Sequence, residues 1–65
     1  MAKIDPISAN KLSEAMIYYR ASHRITQAQL AKKCGVSTIT INQIESKKII
    51  PTKKVAIQIE IALKS

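Results

Sequence analysis

Apolar residues recur along this chain at helical rather than strand spacing over most of its length. Leu12, Met16 and Tyr19 stand three or four residues apart and mark the inward face of a first helix, with Lys11, Ser13 and Glu14 mostly on the other side. Asp5 followed by Pro6 is a favoured start, and Ser8 offers a second, later cap. Ala21 and Ser22 then lead into a basic connection, His23-Arg24. The next helix is the most legible. Thr26 followed three residues later by Gln29 is the reciprocal capping-box pattern, and Ile25 with Leu30 forms a hydrophobic staple across it. This helix is expected over about 27–33, with Leu30 and Ala31 inward and Lys32 and Lys33 in the last turn, where cations suit the helix dipole. Gly35 falls where a left-handed residue ends a helix at no Cβ penalty.

Ser37 caps a third helix running to about residue 45. Ile41 and Ile44 face inward with Val36, which leaves Thr38, Ile39, Asn42 and Gln43 outward. A polar outward face with one isoleucine is poor for simple solvation and suited to touching something. The last segment reads two ways. Val55, Ile57, Ile59, Ile61 and Leu63 alternate strictly with Ala56, Gln58, Glu60 and Ala62, a period-two strand signal. Val55, Ile59, Ala62 and Leu63 also fit helical spacing, and Thr52 after Pro51 is an N-cap. A helix is favoured; a strand pairing with its copy across a dimer is the alternative.

Sixty-five residues allow one small domain, too small for a sizeable enzyme cleft with its supporting shell. No apolar run is long enough for a membrane span or a signal peptide. Cys34 is the single cysteine, so it forms no intrachain disulfide, and it reads as a small buried hydrophobe. His23 reads as an exposed loop residue, Glu14 and Glu60 as surface groups, and Tyr18 and Tyr19 as core and rim packing. No carboxylate pair, nucleophile constellation or metal-ligand cluster stands out, so no enzyme activity, metal or cofactor is expected. Eleven Lys and Arg against four Asp and Glu give a net charge of +7, which points to a polyanionic partner. With two tyrosines and no Phe or Trp, stacking on single-stranded nucleic acid is disfavoured.

The order helix, short glycine-containing turn, helix is the helix-turn-helix arrangement. Thr26-Gln27-Ala28-Gln29-Leu30-Ala31, Gly35-Val36-Ser37, Ile41, Ile44-Glu45 and Pro51-Thr52 stand in a joint register that resembles the Cro/cI-type (XRE-like) family of bacterial and phage repressors. The resemblance extends from about residue 12 to residue 63. It implies a compact all-α, four-helix domain of the lambda-repressor-like kind, with the helix-turn-helix at about 26–45. The strand alternative for the last segment would instead give a Cro-like α+β dimer.

By position, the resemblance makes Thr38, Ile39 and Gln43 the base readers in the major groove of double-stranded DNA, with Ser37 and Asn42 second-rank. Gln27, Ser46, Lys47 and Lys48 are the implied phosphate contacts, which orient the protein without conveying sequence. Arg20 and Glu45 are implied to pair, tying the first helix to the end of the reading helix. Lys47 stands where the family commonly has glycine in a left-handed backbone. Many relatives continue into a fifth helix that helps them dimerise, where this sequence ends at Ser65. The expected self-association patch is therefore Ile57 and Ile61, with Ile49 and Ile50 adding nearby apolar surface.

The function these features imply is that of a small transcriptional regulator, foremost a Cro-like repressor occupying a palindromic operator as a homodimer, at least on DNA. It would lie in the cytoplasm of a bacterial host, with no membrane partner. A restriction-modification controller is the runner-up within DNA binding. An antitoxin that grips a toxin protein through the Ile-rich C-terminal segment, and regulates its own operon, is the alternative from another class.

Overall fold

The computed structural model describes residues 3–65. Four helices follow in order, α1 (Pro6–His23), α2 (Gln27–Cys34), α3 (Thr38–Glu45) and α4 (Lys53–Lys64), and the described residues contain no strand. A single bridge joins Lys3 to Thr52, and the Ile4 N–H donates to the Pro51 carbonyl at 3.3 Å.

Side-chain caps set each boundary. The Asp5 carboxylate accepts from the Ser8 N–H at 2.9 Å and from the Ser8 hydroxyl at 3.0 Å, so α1 starts at Pro6 and Ser8 lies inside it. These bonds, the backbone one first, hold the Asp5 carboxyl below its ordinary range. At the other end α1 runs through Ala21 and Ser22 to His23, further than the sequence suggests. Arg24 there takes the left-handed conformation (φ 54°) that usually calls for glycine. His23 is accordingly the last helical residue rather than a loop residue. It is exposed, its ring stacked on Tyr19 at 3.9 Å between centroids.

The capping box of α2 is complete. The Gln29 N–H donates to Thr26 Oγ1 at 3.1 Å, and the Thr26 N–H donates to Gln29 Oε1 at 2.7 Å. Gly35 (φ 75°) ends the helix one residue later than expected, taking Cys34 into it. A Cβ at Gly35 would meet Gln58 Nε2 at an ordinary 3.4 Å, so the positive φ and not crowding demands glycine there. Ser37 caps α3 by accepting from the Thr40 N–H at 3.1 Å. Beyond Ser46 the chain turns through Lys47 (φ 63°), whose N–H reaches the Ile44 carbonyl while that of Lys48 reaches Gln43. Lysine thus keeps the left-handed turn for which the resemblance implies glycine, at a cost of about 1–2 kcal/mol.

The core is made by Leu12, Met16, Leu30, Ala31, Cys34, Ile41, Ile44, Ala56, Ile59 and Ala62. Leu30, Ile41, Ile44 and Ile59 are fully buried, each worth about 1.5–3 kcal/mol in water-excluded area. Ala31, 2% exposed, is small enough for α2 and α3 to approach closely. Burial pushes the Cys34 thiol up, against a weaker pull from Lys33, as fits an inert hydrophobe.

Two positions differ from the sequence reading of α1. Ser13 is fully buried rather than outward, because its hydroxyl donates to the Glu45 carbonyl at 2.9 Å. That carbonyl lies at the end of α3, where helix geometry leaves acceptors without intrahelical donors. Tyr18 is 75% exposed and packs into neither core nor rim. In α4 the helical stripe wins. Ala56, Ile59 and Ala62 are buried, with Val55 and Leu63 beside them, whereas Ile57 and Ile61 stay exposed.

Candidate nucleic-acid interface

α2 and α3 pack on each other across the Gly35 turn and are held from behind by α1 and α4. This leaves one face of α3 open. Thr38, Ile39 and Asn42 are exposed and Gln43 is half-buried, with Ile39 70% accessible. Thr38 and Asn42, like Ile39 and Gln43, are one turn apart, so the four make one continuous surface. It carries no charge, which leaves donors, acceptors and an alkyl group to present.

The flanks differ in how free their side chains are. The Ser37 hydroxyl is occupied as the α3 cap and bonds Thr40 Oγ1 at 2.8 Å. Ser46 Oγ donates back to the Asn42 carbonyl at 2.8 Å and lies 3.3 Å from that of Gln43. Both hydroxyls therefore serve the ends of α3 in this structure. Lys48 is exposed, and Lys47 reaches Glu14 of α1 at 3.8 Å, a solvated pair worth little, about 0–1 kcal/mol. The turn holding these lysines follows directly from the end of α3.

Behind this face lies a connected set of polar side chains. Arg20 on α1 grips Glu45 with two bonds of 2.8 Å, from Nε to Oε2 and from Nη2 to Oε1. The Glu45 side chain is 6% exposed and that of Arg20 24%. Burial alone would raise the Glu45 carboxyl. The Arg20 and Gln27 hydrogen bonds, with the Arg20 charge, outweigh it and hold the group below its ordinary range. The hydrogen bond to Glu45 in turn raises Arg20 further. Gln27, the first residue of α2, donates through Nε2 to Glu45 Oε1 at 3.0 Å, and its Oε1 accepts from Asn42 Nδ2 at 3.4 Å. Gln27 and Asn42 were separate candidates in the sequence, yet the fold joins them. Their link has no sequence signature, because it depends on how α2 and α3 cross.

The four isoleucines expected to form one patch are divided. Ile57 and Ile61 line an open apolar depression on α4 with Lys53, Lys54 and Gln58. Ile49 and Ile50 line another with Pro6, Ala9 and Ile44. The described residues contain no cluster of three potential metal ligands, and no helix among them is long and apolar enough to cross a membrane.

Two short capped helices joined by a glycine turn, the second offering an open polar face, define a helix-turn-helix domain. Residues 16–65 match the helix-turn-helix family, and the chain belongs to that family, in its Cro/cI-type form. It is also 55% identical over 42 residues to an uncharacterized HTH-type transcriptional regulator of Methanocaldococcus jannaschii. That match takes in 65% of this chain and 64% of the relative. No solved structure matches the chain. The relative is archaeal, where the sequence reading expected a bacterial host, so the family resemblance does not fix the origin.

Proposed function

We propose that this protein is a sequence-specific double-stranded DNA-binding regulator of transcription, acting as a Cro-like repressor. The observation that carries the reading is the open, uncharged face of α3, with Ile39 70% accessible and Lys47 and Lys48 at its end. An exposed isoleucine beside Thr, Asn and Gln loses nothing when it meets a thymine methyl in the major groove. Gln43 suits bidentate contact with adenine and Thr38 a donor or acceptor contact. Lys47 and Lys48 would grip phosphates and fix the register, with Gln27 at the start of α2 ranked below them because its amide already bonds Glu45 and Asn42. Ser37 and Ser46 rank lower, because a DNA contact would compete with their capping bonds.

Repression follows from occupying an operator that overlaps a promoter, with the protein in the cytoplasm and on the nucleoid when bound. Two copies would set their reading helices about 34–36 Å apart on a roughly palindromic site. We assign the exposed Ile57 and Ile61 to the contact between copies and leave Ile49 and Ile50, in the other depression, out of it. A toxin protein is the alternative occupant of α4.

Selection of bound duplexes from a random pool tests the reading. A repressor of this kind recovers related half-sites at a fixed spacing near one helical turn; duplexes without a shared motif would contradict it. Acidic substitution of Ile57 and Ile61 should weaken any dimer seen by sedimentation, and an unchanged dimer would move the interface elsewhere.

A further inference from the structure

We propose that a second copy of this chain docks antiparallel on the outer face of α1, where each Ile7 meets the partner's Tyr18 and each Lys11 the partner's Glu14. α1 is apolar on two sides. Ala9, Leu12 and Met16 are buried against the rest of the molecule, whereas Ile7 is 70% and Tyr18 75% exposed. Ile7, Lys11, Glu14 and Tyr18 follow one another at intervals of four, three and four residues. That spacing puts them in one stripe along the helix, on the side opposite the core, and it is the spacing with which two helices pack along a seam. Ile17, also exposed, flanks the stripe. A helix with large apolar residues all round is ordinarily covered all round.

The order of the four residues says what covers this face. Apolar, cation, anion, apolar is complementary to itself when two copies run in opposite directions. Position 7 then faces 18 and position 11 faces 14, with the two-fold axis between residues 12 and 13, so every contact occurs twice. A parallel pair in register would instead set Lys11 on Lys11 and Glu14 on Glu14, so charge selects the antiparallel arrangement. Both charges are available for it. Lys47 approaches Glu14 only to 3.8 Å and leaves that side chain 66% exposed, and Lys11 makes no ion pair among the described residues. The stripe holds one charge of each sign, so DNA, the polyanion that the rest of the molecule attracts, gains nothing there. The contact is separate from the Ile57 and Ile61 patch on α4 and needs no DNA. Four residues from each copy make a small interface, so the association is weak.

Sedimentation of the full chain without DNA, at concentrations up to about 1 mM, tests the proposal. The variants are Lys11→Glu, Glu14→Lys and Tyr18→Ser, all at exposed positions. Each is built on a chain carrying Ile57→Asp and Ile61→Asp, which removes the α4 patch from the measurement. That parent chain should still self-associate. Either charge reversal should weaken its association by about 5- to 30-fold, because the two-fold axis turns both ion pairs into like-charge pairs at once. Tyr18→Ser should weaken it by about tenfold or more. An equimolar mixture of the two charge reversals should associate as the parent does, since every pair between unlike copies then joins opposite charges. Damage to the fold of either variant would not be repaired by mixing. A mixture no more associated than its components would overturn the antiparallel contact. A parent chain that stays monomeric would overturn it too, leaving self-association to α4 and the outer face of α1 to an unrelated protein. Neither outcome bears on the DNA-reading role of α3, which the duplex selection tests separately.

Discussion

Glu45 is the residue on which most of the polar structure converges. Its carboxylate takes two bonds from Arg20 and one from Gln27, and its backbone carbonyl takes the Ser13 hydroxyl. Removing Arg20 leaves a nearly buried charge with one neutral donor. Arg20→Ala should therefore cost about 2–4 kcal/mol by denaturant unfolding, close to the cost of breaking a buried pair rather than a surface one. An unchanged melting temperature would show that solvent replaces the arginine. The same pairing sets a pH dependence. Because the folded carboxyl lies below its ordinary value of about 4.3, its stabilisation is complete above that pH and is lost as pH falls through the folded value. Glu45→Gln should flatten the decline in melting temperature between pH 5 and pH 2 by about that residue's share. Ser13→Ala should cost about 1–3 kcal/mol, since it strands a buried carbonyl. Ser13 could not be found from periodicity, because a serine beside Leu12 reads as solvent-facing until α3 is known to end above it.

Among the elements, α2 and α3 were the most legible and α4 the least. Capping signals act within a few residues, so Thr26 with Gln29, Gly35 and Ser37 identify their boundaries without tertiary context. The alternation from Val55 to Leu63 is compatible with two periods, and only packing against the other helices decides between them. Substitution separates the two directly. A strand would bury Ile57, Ile59 and Ile61 alike, whereas α4 buries Ile59 alone of the three. Ile59→Ala should thus cost about 2–5 kcal/mol and Ile57→Ala well under 1 kcal/mol, measured by urea unfolding. Equal costs would return the strand. The left-handed residues are instructive too. Lys47 was flagged because the family resemblance places glycine there, whereas Arg24 in the same conformation carries no such mark. Lys47→Gly should raise stability by about 0.5–1 kcal/mol, the relief of strain exceeding the added freedom of the unfolded chain.

Taken as a whole, the proposed function divides affinity and choice between different parts of the molecule. Its net charge of +7 draws it to a polyanion, yet the open face of α3 holds none of the eleven Lys and Arg. Cationic side chains at the end of α3 would supply a salt-dependent grip, with log K falling by about 0.9 per log unit of salt for each phosphate neutralised. Thr38, Ile39, Asn42 and Gln43 would supply the sequence preference. The order of helices and the candidate readers could be read from the chain, because register along one helix fixes a face. The relay through Gln27 and the division of the four isoleucines could not, since both arise only where helices cross. The most direct measurement is the ratio of affinities for a selected site and for random duplex, in wild type and in Thr38→Ala/Gln43→Ala, at matched salt. The ratio should collapse by one to two orders of magnitude, as expected from two lost base contacts, while the melting temperature and salt slope stay as they are. A preserved ratio in the double variant would contradict the account, removing Thr38 and Gln43 as the residues that choose the sequence.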